Sequence, residues 1–208
     1  RRCGTAVGRE GGVGQGPEAS GDSVGKAAAK ALDDTEAMPV AIGIANQRET
    51  TIIWEAESGG PVAPAIVWQC RRTAERCEAL TVAGHADLIR ERAGLVIDPY
   101  FSGTKIGWLL DSDPDLRAAA ESGRARFGTV DSWLLWKLTG CNAHVTYSTH
   151  ASRTLLFDIR AQAWSYSTPY LFHLPRSLLP DLRDCAGLFA APDPRLLRRA
   201  LPLCVPAR

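Results

Sequence analysis

Short apolar runs alternate with amphipathic stretches along this chain, a pattern that predicts strands interleaved with helices. Three runs rich in β-branched and aromatic residues, at 38–47, 50–57 and 63–69, are typical of buried strands. The turn signal Ser-Gly-Gly-Pro at 58–61 separates the last two runs. These features predict a small sheet with hairpin-like connections.

Helices are predicted by apolar residues that recur every three or four positions. Over 71–84, Ala74, Cys77 and Leu80 share a face, and Gly84 has the character of a residue just past a helix end. The clearest helix covers 130–138 and ends at Gly140.

Two more helices are predicted between these. One begins with Asp113 as N-cap and Pro114 in the first turn, and stops at Gly123. The other covers 102–111, where Gly107 should cost about 1 kcal/mol relative to alanine. Lys105 is predicted to face solvent from the start of this helix.

Beyond Gly140, the threonine-rich stretch 143–159 predicts strands again, and from residue 162 the pattern weakens as prolines interrupt it. Mixed strands and helices place the chain in the α/β or α+β class. We expect a glycine-rich, poorly ordered leader with a short helix over 1–39, a folded domain over 40–194 and an irregular basic tail over 195–208.

The composition narrows the function classes. Of 208 residues, 45% are hydrophobic and the net charge is +1, so charge gives no reason to expect nucleic acid or an acidic membrane as partner. The six cysteines show no C-x-x-C spacing and the histidines no metal-ligand spacing. Scattered cysteines predict reduced thiols and a cytoplasmic protein. The sequence around Gly25-Lys26 does not match a Walker-type phosphate loop, because Ser20 stands where the motif requires glycine and Ala27 where it requires serine or threonine.

Arg48 and Glu49 are candidates for binding a small polyol. Arginine supplies fixed donors and the carboxylate supplies acceptors, which together match neighbouring hydroxyls. The alternative, favoured by local sequence alone, is a surface ion pair at a strand end. Trp68 and Tyr100 would add an aromatic wall with a polar tip, although Trp68 is equally compatible with a core position.

Several segments together resemble the glycerol kinases, in the wider family of carbohydrate kinases. They read GIANQRETTIIWE, AIVWQCRRTAERC, GLVIDPYFSGTKI and FGTVDSWLLWKLTG, and the resemblance is strong over 40–160 and weak over 161–194. It implies an α/β fold that is part of a ribonuclease-H-like, actin-like ATPase domain. It also implies ATP- and Mg²⁺-dependent phosphorylation of glycerol to sn-glycerol 3-phosphate by the complete family protein, which could be a homo-oligomer.

The resemblance also assigns residues. Arg48, Glu49 and Tyr100 are similar to the residues that bind the glycerol hydroxyls, and Trp68 to the wall against its carbons. The family's D-Q-G-T-T phosphate hairpin and the G-D-Q segment that carries its general-base aspartate have no counterpart in this sequence. We therefore expect no catalytic residue here and an inactive isolated chain.

Two alternatives stay open at this point. One is a non-catalytic remnant that binds polyol weakly or not at all, and the other is a kinase for a different polyol or sugar. Within the matched region, Tyr147 and His150 stand where relatives usually have Asp and Asn.

Overall fold

Helices and short strands are mixed along the chain, as predicted for an α/β chain. A computed structural model describes residues 5–7, 13–34, 39–185, 187–193 and 202–205. The helices are α1 (Pro17–Asp33), α2 (Ala74–Val82), α3 (Ala86–Ala93), α4 (Ser102–Ser112), α5 (Pro114–Glu121), α6 (Val130–Leu138), α7 (Ser148–Ala151) and α8 (Thr168–Leu171). The strands are β1 (Thr5–Val7), β2 (Val13–Gln15), β3 (Ile42–Gly43), β4 (Ile52–Glu55), β5 (Ala65–Ile66), β6 (Ala125–Gly128), β7 (Val145–Tyr147), β8 (Phe157–Asp158), β9 (Ala163–Trp164), β10 (Asp181–Arg183), β11 (Gly187–Ala190) and β12 (Leu203–Val205).

The strands pair in five small sheets. Strand β4 pairs antiparallel with β6, from Ile52 opposite Gly128 to Glu55 opposite Ala125. Strand β2 lies between β1 and β5, and β12 lies between β11 and β3. The remaining pairs are β7 with β10, which is parallel, and β8 with β9, which is antiparallel.

The predicted sheet of the three consecutive apolar runs is confirmed only in part. The second and third runs form an antiparallel bridge, in which Thr51 and Ile66 exchange two backbone hydrogen bonds of 2.9 Å, but the first run pairs with β12 instead. The chain does turn back after β4, because the Val62 N–H donates to the Ile53 carbonyl at 3.0 Å. However, β4 takes its ladder partner from β6 and β5 takes its partner from β2. The run at 52–54 is buried on both faces, so it is a central strand that needs a partner distant in sequence.

Two apolar clusters lie on the two sides of β4. Ile53 belongs to a cluster that includes Ile106 and Leu110 of α4. Ile52 and Trp54 belong to the other cluster, which is built largely on α6. The alternation follows the period of two along a strand, and each fully buried large side chain contributes about 1.5–3 kcal/mol.

The predicted helix ends are confirmed. The Asp113 carboxylate accepts hydrogen bonds from the backbone N–H groups of Asp115 and Leu116, both at 3.0 Å. Helix α5 ends before Gly123, whose φ of +72° is left-handed.

Close packing around α4 explains why a glycine stands at position 107 inside the helix. A Cβ at this position would lie 3.0 Å from the Phe172 carbonyl oxygen and 2.9 Å from the Arg76 guanidinium. The glycine therefore lets α4 pack closely on its neighbours.

The N-terminal helix is longer than predicted. It begins at Pro17 and packs on α6, where the Trp133 indole donates to the Pro17 carbonyl at 3.2 Å and Lys137 pairs with Glu18 at 2.9 Å. Residues 1–4, 8–12 and 35–38 of the predicted leader, and most of the predicted tail, lie outside the described residues. The domain boundaries therefore stay predictions.

Candidate functional site

One cavity of about 420 Å³ brings the four predicted binding residues together. Arg48, Glu49, Trp68 and Tyr100 all line it, although they are far apart in sequence. Its walls come from the segment before β4, the turn after β5, the loop before α4 and the region of β7 and α7. All four therefore share one cavity, and their role in binding remains a prediction.

Glu49 is held firmly in an uncommon backbone conformation. Its φ is +67°, which is unusual for a residue other than glycine and is often found at functional sites. Its carbonyl accepts a hydrogen bond from the Ser102 hydroxyl at 3.2 Å. The Glu49 residue is 4% exposed. One oxygen of its carboxylate, Oε1, accepts a hydrogen bond from Arg153 Nε at 2.8 Å. Among the described residues, none forms a hydrogen bond with the other carboxylate oxygen.

Arg48 does not pair with its neighbour. In the part of the chain that the structure describes, its exposed side chain makes no hydrogen bond and no ion pair. Glu49 pairs with Arg153 instead, so the alternative of a surface Arg48–Glu49 ion pair is wrong. All of the donors on the Arg48 guanidinium therefore remain available to a ligand at the cavity.

Trp68 and Tyr100 form an aromatic wall. Their ring centroids are 5.5 Å apart, and Trp68 is 37% exposed, which rules out the core position for it. The Tyr100 N–H donates to the Asp98 carboxylate at 2.8 Å, and that carboxylate also accepts from Arg71 at 3.3 Å. This side-chain turn fixes the loop that presents Tyr100.

The prediction that Lys105 faces solvent is wrong. The residue is 0% exposed, and its ammonium group donates to the Tyr100 carbonyl at 2.6 Å and to the Glu49 carbonyl at 3.5 Å. Burial lowers its pKa to about 8, against the opposing effect of nearby groups that include Glu49. The first turn of α4 is buried on every side, because helix α4 begins in the interior of the domain rather than at its surface.

Arg153 is a residue that sequence reasoning missed. Besides holding Glu49, its guanidinium lies over the ring of Phe101 at 4.9 Å and near that of Tyr100 at 5.9 Å. No local pattern marks this arginine, since its partners are distant in sequence. Its presence in the segment ASRTLLFDI was the available signal.

Tyr147 and His150 also line the cavity, and their rings lie 4.5 Å apart. Beneath them, His150 Nδ1 lies 3.0 Å from Oδ1 of Asp131, which is 0% exposed. Burial raises the pKa of Asp131, but the hydrogen bond and charge of His150 and the hydrogen bonds of Thr129 and Thr146 outweigh burial, and the pKa is lowered. The buried Asp131 is therefore an ionised anchor for the imidazole.

Metal ligands are not clustered at this cavity. Within the described ranges, no group of three or more His, Cys, Asp or Glu side chains could hold a metal ion. The same part of the chain contains no helix that is long and apolar enough to cross a membrane.

Comparisons with known proteins point in one direction. Residues 5–200 match the family model for the N-terminal domain of the FGGY family of carbohydrate kinases. Glycerol kinase from Alcanivorax borkumensis is 55% identical over 164 residues, which are 79% of this chain and 33% of that protein. Glycerol kinase from Methylobacterium nodulans is 56% identical over 163 residues, which are 78% of this chain and 32% of that protein. The chain thus spans about a third of the length of these curated relatives.

Solved structures share the fold. The crystal structure of Plasmodium falciparum glycerol kinase with ADP matches with a TM-score of 0.92 and 28% identity, over 99% of this chain and 42% of that one. Xylulose kinase from Lactobacillus acidophilus matches with a TM-score of 0.89 at 15% identity, over 100% of this chain and 42% of that one. These matches confirm the predicted α/β, actin-like fold, of which this chain covers part.

Proposed function

The chain belongs to the FGGY family of carbohydrate kinases, whose N-terminal domain it matches, and we propose that it forms the glycerol-binding part of a glycerol kinase. The observation that carries this proposal is the convergence of Arg48, Glu49, Trp68 and Tyr100 on one cavity. The identity of about 55% to glycerol kinases supports it.

The chemistry of these side chains suits a three-carbon polyol. Arg48 donates hydrogen bonds and cannot accept them, and the Glu49 carboxylate accepts them and cannot donate. Between them they can bind two neighbouring hydroxyls in a fixed direction. Trp68 covers the C–H face of the polyol, and the Tyr100 phenol reaches a further hydroxyl. Arg153 orients the Glu49 carboxylate for this task.

In the complete protein, we propose ATP-dependent phosphorylation of glycerol to sn-glycerol 3-phosphate, with Mg²⁺ bound to the nucleotide. Phosphoryl transfer depends on positioning the acceptor and on stabilising the charge of the phosphates. The cavity accounts for the first of these.

The cellular location and the assembly of the protein are part of the same proposal. The cysteines at 70, 77, 141 and 185 are free thiols, which agrees with a cytoplasmic location. A homo-oligomer is the assembly that the family resemblance implies.

Titration of the 208-residue chain with glycerol, followed by backbone amide NMR, tests the binding proposal. We expect shifts at the cavity residues, a large loss of affinity in Arg48→Ala, and weaker binding of xylulose than of glycerol. Arg90→Ala is the matched control, because Arg90 is an exposed arginine paired with Asp87 on α3. Absence of glycerol binding by the folded chain would favour the non-catalytic remnant, and preference for xylulose would favour a kinase for another sugar.

A coupled assay of the isolated chain tests the assignment of its role. We expect no glycerol-dependent ATP turnover above a blank without protein. Turnover that is lost in Arg48→Ala would contradict the view that this chain supplies the acceptor site alone.

A further inference from the structure

A buried aspartate and a cavity-lining histidine form a pair that the four predicted binding residues do not use. From this pair we infer that His150 is a fifth polyol-binding residue, which accepts a hydrogen bond from a substrate hydroxyl through its Nε2 atom. The inference rests on the proposed function, because it assumes that the cavity binds glycerol.

Asp131 determines which nitrogen of the imidazole carries the proton. Its carboxylate is 0% exposed and accepts from the Thr146 hydroxyl at 2.6 Å and from the Thr129 hydroxyl. His150 Nδ1 lies 3.0 Å from Oδ1 of this carboxylate and 3.3 Å from the Thr129 hydroxyl oxygen. Because the Thr129 hydroxyl spends its own proton on Asp131, both neighbours of Nδ1 present acceptors, and Nδ1 is the nitrogen that carries the ring proton. The hydrogen bond made by one ring nitrogen sets the state of the other, so Nε2 of the neutral ring carries the free lone pair.

The geometry leaves that lone pair to the cavity. Nδ1 points inward to a wholly buried carboxylate, so the opposite edge of the ring, which contains Nε2, is the part that lines the cavity. Among the residues that the structure describes, none forms a hydrogen bond with Nε2. The Tyr147 ring, 4.5 Å from the imidazole, restricts rotation of the ring away from this position.

This acceptor complements the groups already at the cavity. Arg48 supplies donors only, whereas a polyol hydroxyl carries a proton that needs an acceptor. The cavity also has acceptors on the Glu49 carboxylate, whose Oε1 binds Arg153, and on Asn46, and His150 Nε2 would add one from helix α7. An acceptor at His150 Nε2 therefore adds selectivity for a ligand with a hydroxyl at that place.

Two diols that each lack one glycerol hydroxyl make the test specific. We would measure dissociation constants of glycerol, propane-1,2-diol and propane-1,3-diol for the 208-residue chain and for His150→Leu and His150→Gln. We expect His150→Leu to weaken glycerol roughly tenfold, the usual effect of losing one hydrogen bond. Glutamine, which places a polar group near the Nε2 position, should recover most of the affinity. For one of the two diols, wild type and His150→Leu should bind equally, because the hydroxyl that meets His150 is missing.

Controls separate this inference from the proposed function. Arg48→Ala tests the cavity itself, and His85→Leu, at the start of α3 and outside the cavity, controls for loss of an imidazole. If Arg48→Ala weakens glycerol and His150→Leu does not, the inference is wrong and the proposed function stands. If the folded wild type does not bind glycerol, both are wrong.

The imidazole spectrum gives a readout that does not depend on affinity. In long-range ¹H–¹⁵N correlation spectra, we expect His150 in its neutral form to carry its proton on Nδ1, and the Nε2 resonance to move on addition of glycerol. A proton on Nε2 of the neutral ring, or an Nε2 resonance that is unchanged at saturating glycerol, would overturn the inference.

Discussion

Replacing Lys105 with methionine should change how the stability of this chain depends on pH. Methionine keeps most of the buried stem and removes the ammonium group, which is 0% exposed in the native fold. The pKa of Lys105 is lowered from 10.5 to about 8. A shift of that size corresponds to about 3 kcal/mol between the two protonation states.

The sign follows from proton binding. Between pH 8 and 10.5, the unfolded chain keeps the lysine proton while the native state has released it. Stability rises with pH wherever the unfolded state binds more protons, so the free energy of unfolding of the wild type should rise across this window. Below the folded-state pKa, both states are protonated and the cost of burying the charge is present in full.

Urea denaturation of wild type and Lys105→Met gives the relevant difference. Measured below pH 8 and again near pH 10.5, the unfolding free energy of the wild type relative to the variant should increase by about 3 kcal/mol. Lys26→Met, at an exposed position of α1, is the control and should show no such change. If the difference in unfolding free energy between wild type and Lys105→Met does not change across this pH range, the conclusion that Lys105 is buried with a lowered pKa is wrong.

Three further substitutions test other contacts. Arg153→Met should weaken glycerol binding about tenfold, because Glu49 loses a charge-assisted hydrogen bond, and Arg153→Lys should recover part of it; equal affinities would show that Glu49 needs no partner. Asp113→Ala should lower the free energy of unfolding by about 1 kcal/mol in urea titrations through loss of the α5 cap, and Asp113→Ser should restore most of it. Gly107→Ala should destabilise by about 1–3 kcal/mol because its methyl group would press on Phe172, whereas a rise in melting temperature would mean that this packing is loose.

The parts of the site that could be predicted lie in short continuous motifs. Arg48 and Glu49 stand in a turn between apolar runs, and Tyr100 follows a proline in a loop before a helix, so their presentation depends on local chain direction. The end of α5 was equally local, because Asp113 caps the helix through its own neighbours. That these residues share a cavity was an expectation from family resemblance, and the structure places them together.

What could not be predicted depends on distant partners. Lys105 was misplaced because a lysine at a helix start is usually solvated, and here the carbonyls that accept from it belong to Tyr100 and Glu49. Arg153 lies about 100 residues from Glu49, so no spacing rule could join them.

The pairing of β4 with β6 also has a consequence for the order in which the chain folds. Roughly 70 residues separate these strands, and α2, α3, α4 and α5 all lie between them. Local helices form faster than contacts that close a long loop. In pulsed hydrogen exchange during refolding, we expect amides of α5, with its strong cap, to gain protection before those of β4. During synthesis, Ile53 and its neighbours have no ladder partner until Phe127 has left the ribosome, so this apolar strand stays unpaired while the helices that follow it are made.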